Sequence, residues 1–299
     1  MKKVKYLAVF AAAFALAAFV LVGCSSGSSS ASASASGSDT SASASAAAFE
    51  SASAASDSAD ANKFIVGFDA EYPPYGFKAA DGSYTGFDLD LAEAVCEMNG
   101  WDFEAKPIDW DAKDLELDSG NITCIWNGFT YEGREDKYAW SDLYMLNEQV
   151  FVVAEGSDVT SYENMSGKKV VTQAGSAAFD LLTDDEEHEA MEALFDGGKV
   201  ATVPDYNTAF LQLESGAVDV VACDLSIAQY QIAQNPGKFV QLEEALNSEH
   251  YAVGFKLGEE EKAAQVTDSL KKLYEDGTVE KLIEKYSEYG MDISNWVLK

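Results

Sequence analysis

The sequence predicts two open α/β lobes, and three observations lead there. From Lys63 to the C-terminus, short apolar runs of strand length alternate with amphipathic stretches of helical period. The alternation comes as two successive series, joined at residues 150–154. Residues able to carry chemistry fall just after the apolar runs rather than within them. Strand–helix alternation calls for a mixed, mostly parallel sheet with helices on both faces, and a chain that repeats the pattern builds two such lobes.

In the first series, residues 64–68 (Phe-Ile-Val-Gly-Phe) read as a buried strand between turn residues. Asp81-Gly82 marks a hairpin. A helix is predicted over 88–99, where Leu89, Leu91, Ala92, Val95 and Cys96 share one face. A strand at 101–106, a short helix at 112–119, and strands at 122–126 and 149–154 follow. The second series starts with a strand at 168–173 and a helix opened by Ala174-Gly175-Ser176 and reaching 183. It goes on with a strand at 200–203, a helix at 207–215, a strand at 218–223 and a helix at 225–234. Strands at 239–242 and 251–256 precede helices at 259–275 and 278–287. The strand at 251–256 is expected to return the chain to the first lobe, making lobe 1 residues 62–154 plus 248–299 and lobe 2 residues 155–247.

The N-terminus has the layout of an export signal. Lys2, Lys3 and Lys5 precede an apolar run over 6–22 that ends in small residues and a polar tract. Its length would also suit a retained membrane span. The quartet Leu21-Val22-Gly23-Cys24 resembles the lipobox of bacterial lipoproteins. That resemblance implies cleavage after residue 23 and lipidation of Cys24, giving a chain anchored to the outer face of a bacterial cell membrane. Residues 25–61 are almost entirely serine and alanine, a composition that buries little and is expected to form a disordered tether. As a flexible coil of 37 residues it would have an end-to-end distance of roughly 30–35 Å.

From Cys24 onward, 51 acidic residues face 17 basic ones, a net charge of −34. Nucleic acid and anionic lipid surfaces are therefore excluded as partners of the folded part. Cys96, Cys124 and Cys223 are left after Cys24, and each falls on an apolar helix face or strand, the setting of a small buried hydrophobe. His188 and His250 are isolated, and no Cys or His pair has metal-ligand spacing, so neither metal nor cofactor is expected.

Nineteen of the twenty basic residues are lysine; the one arginine is Arg134, within Trp126-Asn127-Gly128-Phe129-Thr130-Tyr131-Glu132-Gly133-Arg134. A guanidinium grips a carboxylate through two parallel hydrogen bonds, which an ammonium cannot copy. In open α/β sheets, ligands bind beyond the C-terminal ends of the strands. Asp69 to Tyr75, Trp126 to Arg134, Ala174 to Ala177 and Asp224 all occupy that position. One guanidinium, one carboxylate, aromatic walls and free amides at a helix start suit an amino-acid zwitterion.

With these motifs in place, the chain resembles the bacterial extracellular solute-binding proteins of family 3, the amino-acid-binding subunits of ABC importers. The residues carrying the resemblance include Tyr72-Pro73-Pro74-Tyr75-Gly76-Phe77, Asp81-Gly82-Ser83-Tyr84-Thr85-Gly86-Phe87-Asp88, Ser141-Asp142-Leu143-Tyr144, Gln173-Ala174-Gly175-Ser176 and Leu213-Glu214-Ser215-Gly216. The resemblance implies a two-lobe, type II periplasmic-binding-protein-like clamp closing on a polar amino acid. Arg134 would hold the ligand carboxylate, helped by N–H groups near Thr130 and at Ser176 and Ala177, which open a helix, and Gly128 would also bind the ligand. Asp224 would take the ammonium, or else simply cap the helix after it. Tyr72 would cover the ligand. Trp126 and Phe129 would wall the site or serve lobe packing, and Asn127 supplies polar groups. Asp69 and Glu71 would meet a ligand side chain or stand as solvated turn residues.

One departure from the family pattern concerns the anchor. The usual Thr-x-Thr-x-x-Arg is one residue shorter here and lacks its second threonine, a gap Tyr131 is placed to fill. The expected partners are a free amino acid and separate permease and ATPase chains, with the protein a monomer and not an enzyme. The alternatives are a cyclohexadienyl-dehydratase-like enzyme on the same scaffold, or the ligand-sensing domain of a signalling partner. Hinges are expected near 152–154 and 247–250.

Overall fold

The computed structural model describes residues 62–184 and 186–299. The expected signal segment at 1–23, the expected lipidation site Cys24 and the expected tether at 24–61 lie outside the described residues.

The first lobe opens with β1 (Lys63–Phe68), in which Phe64, Val66 and Phe68 are buried. A small antiparallel sheet of β2 (Glu71–Tyr72), β3 (Gly76–Lys78) and β4 (Tyr84–Thr85) follows. Helix α1 (Phe87–Asn99) buries the apolar stripe expected of it, and Gly100 ends it in the left-handed region, its N–H closing on Cys96 O and Glu97 O. Then come β5 (Asp102–Pro107), α2 (Lys113–Asp118), β6 (Cys124–Ile125), β7 (Ala139–Trp140) and β8 (Met145–Asn147). The chain enters the second lobe on β9 (Gln149–Ala154) and continues through β10 (Val170–Gln173), α3 (Ala177–Asp184), α4 (Glu186–Glu192) and β11 (Ala201–Val203). Next are α5 (Tyr206–Ser215), β12 (Val220–Asp224), α6 (Leu225–Gln234) and β13 (Phe239–Ala245). It returns on β14 (Glu249–Tyr251) to β15 (Gly254–Phe255), α7 (Glu260–Glu275) and α8 (Thr278–Lys285).

Two five-stranded sheets result, ordered β5-β1-β6-β15-β7 and β11-β10-β12-β9-β13. Each has two parallel and two antiparallel pairings, so the sheets are mixed without being mostly parallel. The antiparallel members are the strands by which the chain enters or leaves a lobe.

Strand β9 corrects the lobe boundary. It pairs with β12 and β13 inside the second sheet, so the crossover precedes it, at β8, and does not lie at 152–154. Val150, Phe151, Val152 and Val153 are buried on both faces, and such a run carries no mark of which sheet it joins. The expected strand at 251–256 is divided between β14 and β15. Strand β14 pairs antiparallel with β8, and these two form the links between the lobes. Helix α4, an acidic segment without an apolar stripe, was not expected.

One continuous buried cluster passes from lobe to lobe through Tyr72, Tyr75, Tyr251 and Tyr206, and two smaller ones back the far faces of the sheets. Cys96, Cys124 and Cys223 are buried free thiols.

Candidate binding site

Asp224 ends β12 and is buried. It sits at the position before α6 yet makes no side-chain cap, so the capping alternative is not realised. Its Oδ1 instead accepts hydrogen bonds from Asn147 Nδ2 (2.9 Å), Gln149 Nε2 (2.7 Å) and the Tyr251 hydroxyl (2.9 Å). Strand register explains the partners, because Gln149 lies opposite Asp224 across β9 and β12.

A second carboxylate, Glu249, shares these donors. Its Oε1 accepts from Asn147 Nδ2, Gln149 Nε2 and Thr130 Oγ1, each at 2.8 Å, and its Oε2 accepts from Asn247 Nδ2 at 2.9 Å. Glu249 lies opposite Asn147 in the β8–β14 pair. Burial raises the pKa of both carboxyls, and for Glu249 the neighbouring Asp224 charge adds to the effect. The rings of Tyr72 and Tyr206 lie 6.0 Å apart beside this pair, and the Tyr72 and Tyr251 hydroxyls meet at 3.4 Å.

Arg134 is also buried. Its Nη2 donates to Asp180 Oδ2 of α3 at 2.7 Å and to Gly175 O at 3.3 Å, both in the second lobe, and its Nη1 reaches Thr130 O at 3.5 Å. The guanidinium rests over the Phe129 ring, 5.1 Å from its centroid. Lys113 Nζ joins it on Gly175 O at 3.0 Å, and burial, with Arg134 adding, pushes that amine down to about 8. In the shortened segment, Gly133 adopts φ 78° and Arg134 N closes a turn on Tyr131 O at 3.0 Å. Tyr131 packs its ring against Trp140 at 5.5 Å.

The remaining candidates separate into bridges, caps and supports. Asp69 is buried and accepts from Gln173 Nε2 of the second lobe at 2.6 Å, and burial pushes its carboxyl up to about 6. Glu71 is exposed and accepts from Asn207 Nδ2 of the second lobe. Asn127 Oδ1 holds the Asp69 N–H. Gly128, an expected ligand-binding residue, donates its N–H to Asp88 Oδ2 at 2.6 Å. Asp88, in the first turn of α1, is buried, and burial raises its carboxyl to about 7. Trp126 lies in the central cluster, and Phe129 packs with Trp110 and Tyr138 as well as under Arg134. The Ser176 hydroxyl accepts the Phe179 N–H and so caps α3, at whose start Ala177 stands; the Ser176 N–H donates to Gln173 O at 3.3 Å.

Sequence reasoning missed Glu249, Gln149, Asn147, Tyr251, Tyr206 and Asp180. Only the register of β9 and β14 could have found the first three, since it sets them beside Asp224 and beside one another.

Two α/β lobes joined by paired crossing strands, with buried charge between them, define the class of two-lobed solute-binding proteins. The chain belongs to the bacterial extracellular solute-binding proteins, family 3, whose family model matches residues 64–289. It is similar to the L-cystine-binding protein TcyJ of Escherichia coli, 27% identical over 233 residues that span 77% of this chain and 84% of that protein. Among solved structures it is similar to an ABC uptake transporter substrate-binding protein from Streptococcus pneumoniae with bound histidine. The TM-score there is 0.73 at 31% identity, covering 79% of this chain and 96% of that one. An ancestral amino-acid-binding protein described as a precursor of cyclohexadienyl dehydratase gives a TM-score of 0.68 at 28% identity, covering 77% and 98%.

Proposed function

We propose that this protein is the substrate-binding subunit of an ABC importer for a polar amino acid, held to the outer face of the cell membrane through Cys24. The amino acid lies between the lobes, which bend about β8 and β14 as they close. Arg134 takes its carboxylate, Asp224 its ammonium, and Tyr72 covers it, with Thr130, Phe129 and Ala177 completing the surroundings. The closed form then delivers the amino acid to a permease driven by separate ATPase subunits. Only a ligand that binds the closed form better can drive closure.

The observation that supports this reading most directly is the juxtaposition of opposite charges in one buried cleft. The guanidinium of Arg134 and the carboxylate of Glu249 both meet Thr130, and Glu249 shares two amides with Asp224. A zwitterion needs both signs of charge within one amino acid's length. The relatives whose names specify cystine and histidine support the amino-acid class.

A thermal-shift screen with the twenty amino acids and their common derivatives tests the reading. A ligand at 100 times its Kd adds about 2.7 kcal/mol of stability, and a screen in which none raises the melting temperature would overturn it. The likeness to a dehydratase precursor favours one competing activity, elimination from a bound cyclohexadienyl acid. Recovery of the bound ligand chemically unaltered after prolonged incubation argues against that enzyme; product formation would establish it.

A further inference from the structure

We propose that Glu249 is a ligand-contacting specificity residue, forming with Asp224 a two-carboxylate seat that makes the cleft prefer amino acids bearing a second cationic nitrogen. The inference rests on the amino-acid reading above and extends it to a residue and a substrate class.

Three observations converge. First, Asp224 Oδ1 and Glu249 Oε1 are bridged by the same two amides, Asn147 Nδ2 and Gln149 Nε2, at 2.7–2.9 Å, yet among the described residues neither carboxylate has a lysine, arginine or histidine partner. Two buried carboxylates side by side are costly unless a cation joins them. Second, Gln149 is 0% exposed, and the oxygen of the carboxamide that serves both acids makes no hydrogen bond. A buried unused acceptor beside two carboxylates is what an N–H donor from a ligand would fill. Third, Glu249 also lines a cavity of about 270 Å³ whose other charged walls are Glu132, Asp180, Asp184 and Lys137. Asp180 is paired with Arg134 and Glu132 with His250, so Asp184 and Glu249 against Lys137 leave that space a net negative charge.

Charge balance then selects the ligand. An α-ammonium between Asp224 and Glu249 compensates one ionised carboxylate. A second ammonium or guanidinium, reaching toward the cavity from the Glu249 side, lets the other ionise against a cation as well. An uncharged side chain leaves Glu249 buried and uncompensated.

Calorimetry on the full chain with lysine, arginine and glutamine tests this. Lysine or arginine should bind at least about tenfold more tightly than glutamine, the scale of one hydrogen bond to a charged group. Glu249→Gln keeps the shape of the side chain; it should weaken the cationic ligand by about tenfold or more and glutamine by less than about threefold. Equal weakening of all three would assign Glu249 a purely structural role and overturn the inference. On the unaltered chain, which needs no variant to fold, acetylation of the lysine side-chain nitrogen should cost a similar factor, and an unchanged affinity would overturn the inference too. If the protein binds only uncharged amino acids, the inference fails and the amino-acid reading stands. If it binds none of the twenty, the reading itself fails.

Discussion

Asp180 Oδ2 stands 2.7 Å from Arg134 Nη2, so a second-lobe carboxylate holds the chain's one guanidinium. The two partners are unequal. The Arg134 side chain is 5% exposed and that of Asp180 37%. Asp180 can turn toward solvent at little cost, whereas a buried guanidinium needs a replacement anion. On the proposed reading an incoming α-carboxylate would supply one, so ligand entry at Arg134 would amount to an exchange of carboxylates.

Replacing Asp180 by Asn removes the competitor. Amino-acid affinity should rise by up to about fivefold, the value of a partly exposed ion pair. Titration calorimetry checks it; a clear fall in affinity would mean that Asp180 itself touches the ligand.

Arg134→Lys retains the charge and discards the fork. Binding of any α-amino acid should weaken by at least about tenfold, as expected on losing a two-pronged charged contact. Unchanged affinity by calorimetry would refute the carboxylate assignment.

Acid should stabilise the unliganded protein before it denatures it. Burial holds the Asp88 carboxyl up to about 7 and Asp69 up to about 6, both above their values in the unfolded chain. The native state therefore keeps these protons when the unfolded state has released them, and stability falls as pH rises from about 4 to 7. Asp88→Asn should flatten that slope without abolishing it, since Asp69, Asp224 and Glu249 are shifted in the same direction. Melting temperatures measured from pH 5 to 7.5 for both proteins decide the matter.

Gly128 occupies φ 55°, and a Cβ there would come within 3.1 Å of the Tyr72 and Tyr251 rings and 3.2 Å of Tyr75. Gly128→Ala should lower stability by about 1–2 kcal/mol through backbone strain alone, and by more through crowding. Denaturant unfolding reads the loss. An unaltered midpoint would show that the three rings yield freely.

Much of the fold was legible because helix periodicity is local. The apolar face of α1 set that helix almost to the residue, and the predicted span of α6 coincides with the observed one. The sheet assignment of β9 depends on long-range pairing, which a uniformly buried Val-Phe-Val-Val run does not encode. Arg134 and Asp224 were conspicuous, one by rarity and the other by following a strand. Glu249 was not, since it lies in the polar run Asn247-Ser248-Glu249-His250, and only pairing with β8 brings it to Asn147. The partner of the Gly128 N–H was hidden for the same reason: its acceptor, Asp88, is forty residues away in the chain.

The solitary arginine has a practical consequence for labelling chemistry. A dicarbonyl reagent selective for guanidinium groups has one target in the whole sequence, and that target is 4% exposed. On the proposed hinge motion, the rate at which one adduct appears in the intact mass would be a clock for cleft opening, readable without introducing any foreign residue or dye. An amino acid seated on Arg134 would stop that clock.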